Sequence, residues 1–328
     1  MKKIFIIACC ICISFMAEGQ TPKYSNEFLS IGAGARAMGM SGAVVASDDD
    51  ATAAIWNPAG LSRAKGDIQL AAMHAELFAG ISKFDYATLA THIDSARTIG
   101  FSLVRFGTDD IPNTLDLIDA SGVIDYSRLS SFSIADYAFI FSYSKQWKMP
   151  GLRMGGNAKI IHRKAGDFAK AWGFGFDLGA QYVYSGWQFG VNLKDVTSTF
   201  NAWSYNTSLL ESTFSKTGNE IPKNTTEITL PKMIVGAAYL FNFGQKFTLL
   251  TEVNADATFD GKRNTLVSSD MTSIDPHFGI EAGYSKMIFL RAGVQNIQKV
   301  KNMDGSKSTV VQPNIGIGLK LGKLSIDY

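Results

Sequence analysis

Along most of this chain the side chains change character with a period of two, and that regularity excludes most folds. From Gly173 to Tyr184, the residues Phe174, Phe176, Leu178, Ala180, Tyr182 and Tyr184 alternate with Gly173, Gly175, Asp177, Gly179 and Gln181. Successive side chains of a strand point to opposite faces, so one face is aromatic and aliphatic and the other glycine and polar. After Ser185-Gly186 the pattern resumes, with Trp187, Phe189, Val191 and Leu193 against Gln188, Gly190, Asn192 and Lys194. This predicts an antiparallel hairpin on a two-residue turn.

The same period predicts strands near 68–78, 84–93, 97–106, 134–144, 152–163, 231–241, 246–255, 276–285, 287–296, 314–321 and 323–328, about thirteen with the hairpin. Most match the ~9–11 residues that a tilted strand needs to cross a bilayer and exceed the ~5–6 usual in soluble sheets. A soluble sandwich also alternates, so the connections decide. From the second onward, short and long connections follow one another, as when every second turn is a tight periplasmic one and the others are external loops. Trp187 opens its strand, Tyr182 and Tyr184 close theirs, and Tyr137 and Tyr143 bracket Phe139 and Phe141, as in an interfacial girdle. The expected fold is all-β, a transmembrane antiparallel β-barrel. On the opposite face stand Arg153, Lys159, Asp177, Lys194, Glu252, Glu281, Arg291 and Lys320, among many glycines. Charges of both signs are expected to line or fill the lumen as ion pairs, because a lipid-facing charge at mid-membrane costs about 2–4 kcal/mol.

The N-terminus has the form of a cleaved secretory signal over residues 1–19. Lys2 and Lys3 precede an apolar run from Ile4 to Phe15, and Ala17-Glu18-Gly19 makes a small-x-small site. The run is shorter than the ~20 residues of a helical span. Cys9, Cys10 and Cys12 all lie inside it, so a mature chain from Gln20 has neither disulfides nor thiolate metal sites. Ile6-Ile7-Ala8-Cys9 faintly resembles a lipoprotein box. With 31 basic and 29 acidic residues there is no electrostatic footprint for nucleic acid.

Residues 20–66 form an expected N-terminal hatch ahead of a barrel spanning 67–328. Small residues dominate this segment, and a short helix is expected from about Asp50 to Trp56, favoured by Asp48-Asp49-Asp50 at its N-terminus. Within it, Phe28 to Met40 reads Phe-Leu-Ser-Ile-Gly-Ala-Gly-Ala-Arg-Ala-Met-Gly-Met. Gly42-Ala43, Asp49 to Ala53, and Trp56-Asn57-Pro58-Ala59-Gly60-Leu61 follow. This ordered string, with Gly32, Gly34, Arg36, Met38, Gly39, Asn57, Pro58, Ala59, Gly60 and Leu61 at its centre, resembles the PorV/PorQ family of Bacteroidetes outer-membrane proteins. Its Asn-Pro-Ala-Gly piece is shared with FadL-type barrels. The resemblance implies a FadL-like barrel, normally of fourteen strands with a small hatch, exported to the outer membrane. It also implies a part in type IX secretion, either carrying cargo or anchoring a partner subunit. Members usually continue past the strand that Leu324, Ile326 and Tyr328 resemble, so either a further strand is missing or these residues make a short closing strand.

Chemistry is sparse. His74, His92, His162 and His277 have no metal-ligand spacing and are expected at the rim or in the lumen. Gly173-x-Gly175-x-x-x-Gly179 sits within a strand and lacks the dinucleotide spacing, and no nucleophile elbow or P-loop occurs. No enzyme activity, metal or cofactor is expected. The longest connection, about Val196 to Leu230, carries Phe200, Trp203, Tyr205 and Phe214, hydrophobic anchors for a partner or a fold over the barrel mouth. Two functions follow: a barrel binding secretion subunits or exported cargo, and a FadL-type transporter of hydrophobic small molecules. A sealed lumen favours the first, and an apolar path between hatch and wall favours the second.

Overall fold

Residues 25–115, 117–118 and 122–328 are described in the computed structural model; the expected signal peptide lies outside them. Among these residues sixteen strands make one antiparallel sheet. They are β1 (Ile68–Leu77), β2 (Ser82–His92), β3 (Arg97–Asn113), β4 (Ser130–Gln146), β5 (Leu152–Ala165), β6 (Ala169–Tyr184), β7 (Trp187–Lys194), β8 (Thr199–Tyr205), β9 (Thr225–Thr229), β10 (Lys232–Phe243), β11 (Phe247–Thr258), β12 (Val267–Ser268), β13 (Ser273–Tyr284), β14 (Ile288–Lys301), β15 (Lys307–Leu321) and β16 (Leu324–Asp327). Thirteen of them pair in chain order, β1 through β7, then β10, β11, β13, β14, β15 and β16; β1 and β16 are not hydrogen-bonded to each other.

These thirteen are the strands that the alternation predicts. β7 has the predicted bounds, while β3, β4, β14 and β15 run several residues further at the end carrying the longer loops. Beyond the bilayer both faces of a strand meet water, so no apolar phase marks the extension. Register slips occur there, between Thr108 and Ile111 and between Gln295 and Gln298. At each a residue with positive φ, Asp110 and Asn296, takes up the extra length.

The connection from 195 to 231 differs from a plain loop. β8 continues β7 after a break at residues 195–198, β9 leads into β10 across Leu230-Pro231, and a helix α3 (Thr207–Thr217) joins β8 to β9. β6 therefore pairs with β7 at one end and with β8 at the other. Gly218, at φ 71°, supplies the left-handed residue that ends α3.

Within the curl of the sheet lie residues 25–66. They hold a 3-10 turn at Glu27–Leu29, helix α1 (Ala35–Gly39), helix α2 (Ala53–Trp56) and a second 3-10 turn at Pro58–Arg63. The expected helix from Asp50 begins only at Ala53, because the Asp50 side chain accepts from the Thr52 N–H at 2.7 Å and holds the preceding turn. The outer face of the wall is a belt of exposed Trp172, Phe174, Phe176, Leu178, Trp187, Phe189, Phe241, Phe278, Leu290 and Ile317.

Candidate functional site: the hatch and the wall that grips it

Each end of the hatch string is shaped by a specific need. Gly32, at φ 79°, lies against the Trp56 indole, and any Cβ there would overlap the ring. The Trp56 indole N–H donates to Ala33 O at 2.7 Å, tying the two ends of the string together. Asn57 is fully buried. Its side-chain amide donates to Val45 O at 2.9 Å and to Ala180 O at 3.1 Å on the wall, and its oxygen accepts from Ala59 N. Pro58 follows as the first residue of the 3-10 turn, where no N–H is needed.

Wall glycines let this backbone lie directly on the strands. A Cβ at Gly179 would strike Asn57 Oδ1, and one at Gly190 would strike Val45 O. Around these contacts, wall amides satisfy hatch carbonyls in turn: Asn157 to Ala54 at 2.8 Å, Asn192 to Trp56 at 2.7 Å, Asn254 to Gly42 at 3.1 Å, and Gln181 to Asp48 at 3.1 Å. Arg63 reaches back to Gln188 at 2.7 Å, Glu252 accepts from Ala46 N at 2.8 Å, and the His277 Nδ1 donates to Ser41 O at 2.8 Å. Backbone groups cut off from water must find such partners.

Ion pairs fix both ends of this grip. Glu281 receives Arg36 of the hatch at 3.0 Å and Arg291 of the wall at 2.7 Å, and Arg291 also meets Asp327 at 2.6 Å. Lys159 lies between Asp177 at 2.7 Å and Asp195 at 2.5 Å. Arg263 meets Glu27 at 3.0 Å. Within the hatch, burial and the neighbouring Asp50 push the Asp48 carboxyl well above the usual carboxylate range. Arg36, 3.5 Å away and shared with Glu281, does not offset that.

The wall over β2 to β5 meets the hatch differently. Phe28, Leu29, Ala33 and Ile55 pack there against Phe84 and Tyr86 of β2, Val104 of β3, Ala138 and Ile140 of β4 and Ile161 of β5, with Met73 and Leu77 of β1 and Phe106 of β3 at the margin. Leu29 also borders a cavity of about 40 Å³ beside the wall break, with Asn26, Lys194, Asp195, Leu230 and Lys232. At the break Asp195 and Ser198 have positive φ, the Asp195 N–H donates to Asp177 Oδ1 at 2.9 Å, and Val196 N donates to Phe176 O.

The structure thus stands Arg153, Lys159, Asp177, Lys194, Glu252, Glu281 and Arg291 on the inner face, and brings Arg36, Glu281 and Arg291 into one cluster. Gly34, Met38, Gly39 and Gly60 to Leu61 are hatch backbone and packing positions. The candidate loop anchors are not in a loop. Phe200 points outward from β8. Trp203 lies under the Arg163 guanidinium, 5.1 Å from the ring, with its N–H donated to Glu227. Tyr205 ends β8, and Phe214 is half-buried on α3. The inward set of β8, Thr199, Asn201, Trp203 and Tyr205, is as apolar as its outward set, Phe200, Ala202 and Ser204, so no apolar face marks a strand and the segment resembles a loop. His92 and His277 lie inside, but His74 and His162 stand on the outer face, the latter stacked on Trp172 at 4.2 Å. The grip of Asn157, Gln181, Gln188, Asn254 and Asn314 is absent from the sequence reading, although all share the glycine-rich phase. No group of metal-ligating residues occurs among the described residues.

The backbone is similar to that of three solved outer-membrane proteins. The toluene transporter TbuX of Ralstonia pickettii is 14% identical, with 90% of this chain and 92% of that one covered at a TM-score of 0.52. The toluene transporter TodX of Pseudomonas putida is 14% identical, with 89% and 90% covered at 0.53. The monoaromatic hydrocarbon channel CymD is 12% identical, with 89% and 90% covered at 0.52. The fold is that of a FadL-like outer-membrane β-barrel. No protein-family model matches the chain, and no curated protein matches it.

Proposed function

We propose that this protein is a hatch-closed outer-membrane channel for hydrophobic small molecules. The carrying observation is the apolar contact of Phe28, Leu29 and Ile55 with Phe84, Val104, Ile140 and Ile161. A lumen built for water and ions is polar, and burying the ligand in apolar surface is what a hydrophobic solute requires. The fold shared with two toluene transporters and a hydrocarbon channel supports the same reading. In this reading residues 1–19 direct export, residues 25–66 are the hatch, and the polar side of the hatch stays anchored. The Phe28–Leu29 turn yields, joining the apolar side to the small cavity at the wall break that Leu29 already borders.

The test is uptake of a labelled monoaromatic hydrocarbon and of a long-chain fatty acid by outer-membrane vesicles, with and without the protein. Faster entry of either solute than in empty vesicles supports the channel. Equal rates for both, with the protein correctly folded, remove it.

A second reading has its own observation. The string from Phe28 to Leu61 resembles the PorV/PorQ family, and the cavity that Leu29 borders beside the wall break is only about 40 Å³. On that reading the barrel binds type IX secretion subunits or exported cargo, with Phe200, Trp203, Tyr205 and Phe214 near the contact. Recovery of such proteins with the tagged full chain from detergent-solubilised membranes, together with no solute uptake, favours it over the channel.

A further inference from the structure

The apolar belt on the outer wall is not continuous. On β6 the outward residues from Trp172 to Tyr184 carry no charge. On β1, β2 and β3 the uncharged outward runs are only Ile68–Ala72, Ala87–Thr91 and Ile99–Leu103, and then His74, Asp85 and Arg105 appear. At ~3.3 Å per residue and a ~40° tilt, the β6 run covers about 30 Å of depth and the β1–β3 runs about 10 Å. A hydrocarbon band ~25 Å tall cannot be filled by the shorter runs.

The interruption begins at one ladder row. His74, Asp85, Arg105 and Tyr137 are direct register partners across β1 to β4. Asp85 accepts from Arg105 at 3.2 Å and meets His74 Nδ1 at 2.7 Å, and above them Lys83 meets Asp109 at 3.4 Å. His74, Lys83 and Asp85 are about half exposed, at 57%, 42% and 43% of their side chains, so they retain outward hydrogen-bonding capacity that lipid chains cannot meet. Below the row is a depression of about 550 Å³, with Ala72 and Ala87 among its lining and Leu70, Leu89, Phe101 and Leu103 around them.

We propose that the outer face of β1–β3 is covered by a second copy of this chain. The charge pattern chooses that occupant. Three acids, Glu76, Asp85 and Asp109, alternate with the bases His74, Lys83 and Arg105, so the patch is complementary to itself. Two barrels inserted in the same direction are related by a two-fold axis along the membrane normal, which makes the interface isologous. An axis between β2 and β3 sets Asp85 of one copy opposite Arg105 of the other, with the small floor residues of the two depressions facing each other. This surface is separate from the hatch and from the solute path.

The test is cysteine cross-linking of the full chain in its native outer membrane. Ala87→Cys sits at the proposed axis, Val191→Cys lies on the far, lipid-facing wall, and the parent chain controls for its own cysteines. Under a mild oxidant Ala87→Cys is expected to yield a covalent species of twice the chain mass as the main product, and Val191→Cys no more than the parent. In detergent, Arg105→Asp is expected to lower the dimer fraction at least tenfold, and Asp85→Arg with Arg105→Asp to restore it. Ala87→Cys remaining monomeric, or linking to a polypeptide of another mass, overturns the proposal.

Discussion

The hatch is held by two unlike surfaces. Towards β5, β6, β7, β11 and β13 to β15 its backbone is gripped by amides and ion pairs, each with a fixed partner at a fixed distance. Towards β2–β5 its Phe28, Leu29, Ala33 and Ile55 rest on hydrocarbon, and the polar contacts there are fewer, with Thr88 on Ala51 O and Ser144 on Ala59 O. Directional bonds resist sliding, because a shift of an ångström strands buried polar groups that each cost about 1–3 kcal/mol. Apolar contact is non-directional, and a hydrophobic solute can replace the hatch side chains at little cost. On the channel reading, the difference picks out the side of the hatch that opens without unfolding it.

The comparison breaks most sharply at Glu281. Glu281→Ala removes the carboxylate that Arg36 and Arg291 share and leaves Arg291 only Asp327, and the expected loss is about 3 kcal/mol in urea unfolding of the bilayer-embedded protein. A loss below one kcal/mol refutes the ion-pair anchor. On the other side, Phe84→Ala is expected to cost about 3 kcal/mol through the cavity it leaves, yet to speed hydrophobic uptake, whereas Glu281→Ala adds no such selectivity. Unchanged uptake with a measurable loss of stability leaves the apolar side as packing only.

Gly190→Ala drives a methyl into the Val45 carbonyl and is expected to cost about 1–3 kcal/mol, read from the same unfolding curves. A neutral result means the hatch backbone can back away from the wall. Asp48 gives a pH test. Its native carboxyl holds a proton more tightly than the unfolded chain, whose aspartates titrate near ~3.9. Its contribution is therefore greatest below that range and is lost as pH rises through the raised native value. Asp48→Asn is expected to flatten this decline of stability with pH; an unchanged slope assigns the decline elsewhere. The smallest effect belongs to the exposed outer wall. His74→Ala, removing a half-exposed pair with Asp85, is expected to change monomer stability by about 0–1 kcal/mol, and a larger loss would mean that the row supports the wall itself.

Legibility in the sequence followed where a side chain's two environments differ. Leu178 and Gly179 point respectively to lipid and to hatch, so β6 was plain, and the inner phase of Asp177 could be counted along it, as that of Lys159 and Glu281 could along β5 and β13. β8 carries Trp203 and Tyr205 inward against Phe200 outward, and there the count loses its contrast. Trp203 shows the consequence: it has the composition of a loop anchor, but the fold sets it under Arg163.

From the sequence alone came the period, the thirteen wall strands and the phase of charges such as Lys159, Asp177 and Glu281, because these depend on residue parity and local chemistry. Only the tertiary structure decided which charges meet, since Arg36 and Glu281 or Lys159 and Asp195 are brought together by the curl and stagger of the sheet. It also decided which side of the hatch is gripped by polar groups and which rests on hydrocarbon. Parity says that a side chain points inward; the curl of the sheet around residues 25–66 determines what it finds there.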